Sequence, residues 1–279
     1  MISYSYHRSL SRANLTDYVN LFSSSFSGAG KLNLEYLNWL YCKNPHGEAI
    51  GWDAFMGDKL IAHYAVIPRK YSFLGQEYAA ALSVNTATHP EHQGRGLFVN
   101  LANRTYESAH AFGTSFIVGI ANANSIGGFI KKLDFTALGQ VGLFLSFNSI
   151  RKESSKLDLI NDAEWINWRL SNPSRKYTYS LLGNGALNIR TEIKGITFNL
   201  GYVDNSIFQK TKVSTLTKRE SVLLPALTPY FQKGYHSIFR IPYLFYPSPW
   251  HVIWRTLDKS IDQELADKLL FSGLSMDTF

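Results

Sequence analysis

The segment HPEHQGRGLFVNLANRTYESA (His89–Ala109) decides how this chain is read. A polar stretch with one proline and two glycines passes without a break into an apolar repeat at helical spacing: Leu97, Phe98, Leu101, Ala102, Ala109 and, just beyond, Phe112. Immediately before it, EYAAALSVNTATH (Glu77–His89) is a run of small and β-branched residues that predicts a buried strand. The segment is therefore a strand, a tight glycine turn and a helix. Successive amides in such a turn face one concavity, and the helix dipole adds partial positive charge, which makes an anion site suited to a pyrophosphate. Gly94 and Gly96 meet that need because a Cβ would hold an anion away from the backbone. Two other phosphate loops are excluded: GAGK (Gly28–Lys31) lacks the spacing and the hydroxyl residue of a P-loop, and no GxGxxG follows a strand.

Composition narrows the class. A chain of 279 residues suits one large or two small domains, and 45% hydrophobic with 18% charged residues is ordinary for a globular protein. The 28 Lys and Arg against 21 acids give +7, spread without a run of four basic residues, which argues against a nucleic-acid arm. Two readings of that charge remain, a plain basic surface or a cleft for polyanionic small molecules. The single cysteine, Cys42, excludes an internal disulfide framework and a thiolate metal cluster. Pro90 and the glycine turn argue against His89 and His92 as a zinc-binding helix face, so no metal is expected. No signal-peptide pattern opens the sequence and no apolar run approaches 18 residues, so the expectation is a soluble, cytoplasmic protein without membrane or nucleic-acid partners.

THPEHQGRGLF (Thr88–Phe98) resembles motif A of the GNAT superfamily of acyl-CoA-dependent N-acyltransferases, Gln/Arg-x-x-Gly-x-Gly/Ala after a strand. Gln93 and Gly96 match, and Phe98 replaces the last small residue. Phe116–Ile120 is predicted as the next strand. NANSIGGFIKKLDF (Asn122–Phe135) then resembles the family's second cofactor segment, an asparagine followed by Lys-Leu-Gly-Phe, here Lys132-Leu133-Asp134-Phe135. The resemblance spans about Trp52 to Phe135. It implies an α/β (α+β) GNAT fold, a mixed sheet flanked by helices and splayed between its fourth and fifth strands, with acyl-CoA in the gap. The fourth strand falls at about 78–88. Backbone around Thr86 and Thr88 is implied for the pantetheine arm, and the turn Gln93, Gly94, Arg95, Gly96, Leu97 and Phe98 for the pyrophosphate. Asn122, Asn124 and Ser125 are implied near the thiol end, with Ser125 equally suited to cap the next helix.

Two family features are missing. The tyrosine that protonates the leaving thiolate is replaced by Ile130, and the glutamate base of the fourth strand by Leu82. Amide formation still needs a neutral amine attacking the thioester carbonyl, with donors for the developing oxyanion. His63 in LIAHYAVIP (Leu60–Pro68) is the candidate base, or else a satisfied core histidine. Asn85 in its apolar strand either orients the reactants or makes a structural hydrogen bond. Tyr64 beside His63 is a candidate acceptor contact.

EYLNWLYCKNP (Glu35–Pro45) has a partner in EWINWRLSNP (Glu164–Pro173), about 129 residues later, and each is followed by a hairpin pattern. The hairpins are WDAFMGDKLIAHYAVI (Trp52–Ile67), turning at Gly57-Asp58, and YTYSLLGNGALNIRTEI (Tyr177–Ile193), turning at Gly183-Asn184-Gly185. This predicts two copies of one fold, a GNAT domain over 1–150 and a degenerate GNAT-like unit over 151–279. The second copy is expected to hold a strand near 195–202, a helix around 218–233 and a strand at 237–241, with no phosphate turn. The polar stretch 151–158 is the expected linker. Aromatics Tyr243, Phe245, Tyr246, Trp250 and Trp254 either pack the core or wall an acceptor pocket, with Tyr246 and Trp250 the chosen contacts. The tandem layout, Trp39 to Gly47, and the GLF ending resemble N-acyltransferases of surface-polysaccharide pathways. These carry acetyl or short hydroxyacyl groups, such as 3-hydroxybutanoyl, from acyl-CoA to dTDP-linked 3-amino-3,6-dideoxyhexoses. A GNAT enzyme for another small-molecule or aminoacyl amine, and a non-catalytic GNAT-fold binding protein, stand beside that reading.

Overall fold

The computed structural model describes residues 3–26, 29–147, 155–182, 185–211, 217–218, 225–235, 240–242 and 249–276. The first half runs β1 (Ser5–Arg8), α1 (Leu15–Ser25), α2 (Leu34–Leu37) leading into one π-helical turn (Asn38–Cys42), β2 (Ile50–Met56), β3 (Lys59–Phe73) and β4 (Gln76–Thr88). It continues with α3 (Leu97–Ala111), β5 (Phe116–Ala121), α4 (Ile126–Lys132), β6 (Thr136–Gln140) and β7 (Gly142–Ser146). The second half runs β8 (Asp158–Leu159), α5 (Ala163–Leu170), β9 (Tyr177–Leu181), β10 (Leu187–Ile193), β11 (Ile196–Val203), α6 (Asn205–Phe208) and β12 (Thr217–Lys218). It ends with β13 (Ala226–Gln232), β14 (His251–Thr256), α7 (Gln263–Asp267) and β15 (Leu270–Ser272). Among the described residues no helix is long and apolar enough to cross a membrane.

The first sheet has the order β1-β2-β3-β4-β5-β14-β6, with β8 paired to the far end of β3. Its decisive feature is the β4–β5 fork. The two strands are parallel and pair only from Ala80–Phe116 to Ser83–Gly119, after which they part. Directly past that point, Asn85 and Thr86 stand opposite the single residue Tyr64, a bulge that turns β4. Asn85 takes φ 47°, a left-handed conformation that asparagine tolerates better than most residues. This is the splayed mixed sheet expected from the sequence, with helices packed on it.

The second sheet repeats the plan, with β9, β10 and β11 antiparallel in order and β13 parallel to β11. Here the fork opens after the single pair Phe198–Leu227. Tyr230 of β13 pairs with Gly142 of β7 on one edge and Ser272 of β15 on the other, so β15 lies inside this fork. Gly273 marks how tight the fit is: a Cβ there would lie 2.9 Å from Leu200 Cα and 3.0 Å from Pro229 Cγ. Arg169 of α5, fully buried, donates to the carbonyls of Leu274 at 3.1 Å and Met276 at 2.8 Å, and to the Tyr177 hydroxyl.

The halves exchange strands. β7 joins the second sheet, and β14 lies between β5 and β6 of the first. Trp254 of β14 stacks on Phe116 of β5 with centroids 4.0 Å apart, and one buried cluster contains Trp39, Phe116, Trp168, Phe231 and Phe271.

Two expectations change. The helix around 218–233 is strand β13 over Ala226–Gln232, because ALTPYFQ carries β-formers and completes a ladder with β7 that only the fold supplies. The end of the 151–158 stretch is no free linker, since Leu157 bridges Leu269 and Asp158 pairs with Ser72. The strand at 237–241 lies largely outside the described residues, as do Gly183 and Asn184 of the second hairpin turn.

Candidate active site

The glycine turn closes the first sheet at the open end of the fork. Gly94 and Gly96 adopt φ 73° and 75°, and a Cβ on either would meet nothing within 4 Å, so the space beside them is open. Gly96 is the N-cap of α3 and offers no capping side chain, which leaves the amides of Leu97, Phe98 and Val99 without an intrahelical partner. The Gln93 side chain donates to Thr88 O at 3.2 Å and braces the turn against the end of β4. Arg95 donates to Tyr4 Oη at 3.1 Å and Glu91 O at 3.2 Å. Beneath it, burial and then Arg95 hold the His92 imidazole below its ordinary pKa. Amides free at the start of α3, open space beside Gly94 and Gly96 and an arginine fit a diphosphate.

Thr86 and Thr88 lie past the last β4–β5 pair, on the opened stretch of β4. Across the fork, exposed Asn122 follows the end of β5, and its Oδ1 accepts from Asn124 N at 3.0 Å, Ser125 N at 3.1 Å and Ser125 Oγ at 3.2 Å. Ser125 stands at the N-cap of α4 yet makes no capping bond with its side chain; Asn122 shapes this turn.

Behind the bulge runs a buried polar chain. Asp53 of β2 and His63 of β3 are register partners and both are fully buried, with His63 Nδ1 2.7 Å from Asp53 Oδ1. His63 Nε2 lies 2.9 Å from Oη of Tyr41, on the π-helical turn, and Asn85 Nδ2 donates to that same Oη at 3.2 Å. Ser9 Oγ donates to Asp53 Oδ1 at 3.0 Å and Tyr18 Oη to Asp53 Oδ2 at 2.7 Å. Burial, with the Asp53 charge, drives the Tyr18 phenol well above its ordinary pKa. The structure thus brings His63 and Asn85 together through Tyr41, which the sequence reading missed along with Asp53. Asp53 sits opposite His63 in the hairpin, so a correct register would have found it; Tyr41 comes from a turn with no such signal.

Other candidates move away from the site. Tyr64 is fully buried on the α3 side of the sheet, bonded to Ser83 Oγ at 2.8 Å and Tyr106 Oη at 2.7 Å, so it packs the core instead of contacting an acceptor. Burial pushes its pKa up to about 12. Trp254 is core as well, because strand exchange carries it inside the first sheet. Trp250 is half-buried, and its carbonyl accepts from Val141 N at 2.8 Å. Tyr243, Phe245 and Tyr246 lie outside the described residues. Leu82 is buried and Ile130 is 41% exposed, so neither position supplies a proton-transfer group. His89, Glu91 and His92 each bring one ligand atom within 4.8 Å of the others, a spacing a metal would accept. Lys59 Nζ, 3.4 Å from His89 Nε2, and the neighbouring Arg95 make that corner cationic.

Comparison with known proteins agrees with this geometry. Residues 7–137 match a family model described as an acetyltransferase (GNAT) domain. No curated protein matches the sequence. Among solved structures, a conserved protein of Enterococcus faecalis V583 aligns at 9% identity over 92% of this chain and 73% of its own, with a TM-score of 0.59. A GCN5-related N-acetyltransferase from Kribbella flavida aligns at 12% identity over 92% and 72%, with a TM-score of 0.57. A protein from Pyrococcus horikoshii aligns at 9% identity over 97% and 95%, with a TM-score of 0.53. At these identities the likeness is one of fold, and it extends through both sheets. Residues 7–137 thus match a GNAT acetyltransferase domain in sequence, the whole chain shares its fold with these structures, and the second sheet follows the same plan as the first.

Proposed function

We propose that the chain transfers an acyl group from acyl-CoA to an amine, with the glycine turn holding the diphosphate and the β4–β5 fork receiving the pantetheine arm. The observation that carries this reading is the pairing of open space beside Gly94 and Gly96 with strands that part after Ser83–Gly119. Acyl-CoA supplies the activated thioester; the chain supplies Thr86, Thr88 and the amides of 94–98 to bind it, with Asn122, Asn124 and Ser125 across the fork. Asn85, at the bulge, serves the amine side; His63 is fully buried with Nδ1 on Asp53 and Nε2 on Tyr41, so it is the satisfied core histidine and supports Asn85 from behind instead of acting as the base. No metal is part of this reading.

Residues 1–150 hold the acyl-CoA and 151–279 shape the acceptor site, with one CoA per chain. The occupied fork of the second sheet supports this, since β15 fills the gap that a second pantetheine arm would need. Trp250 and Tyr246 are assigned to the acceptor. We assign the acceptor class as a nucleotide-linked amino sugar of the dTDP-3-amino-3,6-dideoxyhexose type, on the resemblance of Trp39 to Gly47 and of the GLF ending; the net charge of +7 suits two diphosphate substrates. We place the protein in the cytoplasm.

Free-thiol release from acetyl-CoA and 3-hydroxybutanoyl-CoA, measured against dTDP-amino sugars, polyamines and aminoglycosides, tests the reading. Turnover confined to the other amines would leave the acyltransferase and remove the sugar. A chain that binds CoA and acylates nothing would instead be a non-catalytic GNAT-fold binding protein, the reading favoured by Ile130 and Leu82 in place of acid and base.

A further inference from the structure

We infer that Asp53, His63 and Tyr41 form a directional hydrogen-bond chain that fixes which way the Asn85 amide faces, so that Asn85 Oδ1 is turned to accept a hydrogen bond from the acceptor amine. The inference rests on the acyltransfer reading only for the identity of that amine. Direction follows from the donor inventory of each member. Asp53, as a carboxylate, only accepts, so the hydrogen on His63 sits on Nδ1, which is 2.7 Å away. With its hydrogen on Nδ1, the His63 ring presents Nε2 as an acceptor, and Tyr41 Oη, 2.9 Å distant, donates its single hydrogen there. The Tyr41 oxygen toward Asn85 is left as an acceptor. The group of Asn85 that meets it at 3.2 Å is therefore the NH₂, and the carbonyl Oδ1 faces the opposite way.

Three features make this a positioning device rather than incidental packing. Asp53, His63 and Tyr41 are each 0% exposed, so water does not scramble the donor order. Ser9 and Tyr18 both donate to Asp53 and hold it as the accepting end. Asn85 is only half-buried, sits on the bulge next to the fork, and among the described residues nothing donates to its Oδ1. A carbonyl oxygen held at the mouth of the fork accepts N–H from an amine whose lone pair faces the thioester, and it excludes the reverse amide orientation. Tyr41, His63 and Asp53 act through Asn85 and are positioning residues.

Tyr41→Phe tests the chain at almost constant shape: the oxygen to which Asn85 Nδ2 donates is gone, and the Asn85 amide is no longer held in one orientation. The expected result is an acceptor KM about tenfold higher with CoA affinity unchanged. Asn85→Gly, which keeps the left-handed backbone, should raise the acceptor KM similarly, and the double variant no further, because both act on one contact. Nuclear magnetic resonance of the Asn85 side-chain NH₂ gives a readout independent of turnover: one slowly exchanging proton in the parent, lost in Tyr41→Phe. A protected Asn85 proton that survives in a folded Tyr41→Phe overturns the chain, as does additivity of Tyr41→Phe and Asn85→Gly. If no amine is acylated, the acyltransfer reading fails, and the Asn85 signal still decides the chain.

Discussion

Trp39 and Trp168, 129 residues apart, donate to each other's backbone: Trp39 Nε1 to Trp168 O at 2.7 Å and Trp168 Nε1 to Trp39 O at 2.9 Å. Their rings stack with centroids 4.5 Å apart and planes 9° from parallel. Such reciprocity is what a local two-fold relation between two copies of one motif produces, as at an isologous interface. Trp39→Phe removes one donor, but Trp168 O keeps Ser171 N at 3.1 Å and Ser171 Oγ at 2.8 Å, so the loss should be about 1 kcal/mol. Thermal unfolding should stay a single transition with its midpoint lowered by roughly 2–4 °C. Two separated transitions would contradict the shared core.

Gly96→Val should keep the fold, since the space beside Gly96 is open, while the left-handed φ of 75° adds about 1–2 kcal/mol of backbone strain. The branched side chain would fill that space. CoA affinity measured by calorimetry should fall at least tenfold, about 1.4 kcal/mol. Unchanged affinity in a folded variant would remove the cofactor assignment.

Arg169→Met should release the segment lodged in the second fork. Leu274 O, Met276 O and the Tyr177 hydroxyl lose a buried charged donor, a cost of about 3 kcal/mol or more. Limited proteolysis should then cut near the C-terminus much faster than in the parent. Equal protection would mean that β15 is held by its ladder alone.

Truncation after Ile150 should not yield a folded half. β14 separates β5 from β6, so its loss splits the first sheet and strips Trp254 from Phe116. A soluble 1–150 fragment with cooperative unfolding would refute this. Point variants such as Trp250→Ala, expected to raise the acceptor KM alone, are the cleaner probe of the second half.

His46 borders a cavity of about 590 Å³ with Arg69 and Lys70, at the end of the first sheet away from the turn. Burial first, then the Arg69 charge, lower its pKa from 6.5 to about 4. The unfolded chain therefore takes up the proton before the folded one. Stability from this group is complete above pH 6.5 and is lost as pH falls from 6.5 toward 4, by on the order of 2 kcal/mol after allowing for partial exposure. His46→Gln should flatten the unfolding midpoint over that window, and an unchanged slope would assign the acid sensitivity elsewhere.

Read alone, the sequence determined what is local. The strand, turn and helix of 76–111 follow from short-range rules, because Gly94 and Gly96 satisfy a backbone requirement and the apolar spacing of α3 sets its buried face. The repeat was legible for the same reason: Trp39 and Trp168 lie in matching helical segments before matching hairpins. Only the tertiary structure decided the non-local pairings. Strand exchange between the halves, the lodging of β15 in the second fork and the strand at 226–232 depend on ladders formed by residues far apart in the chain, and no local pattern encodes a partner. The same holds for the chain behind Asn85. His63 and Asn85 were visible as polar residues in apolar strands, but that Tyr41 joins them depends on where the π-helical turn sets its ring against the sheet, a choice made by packing.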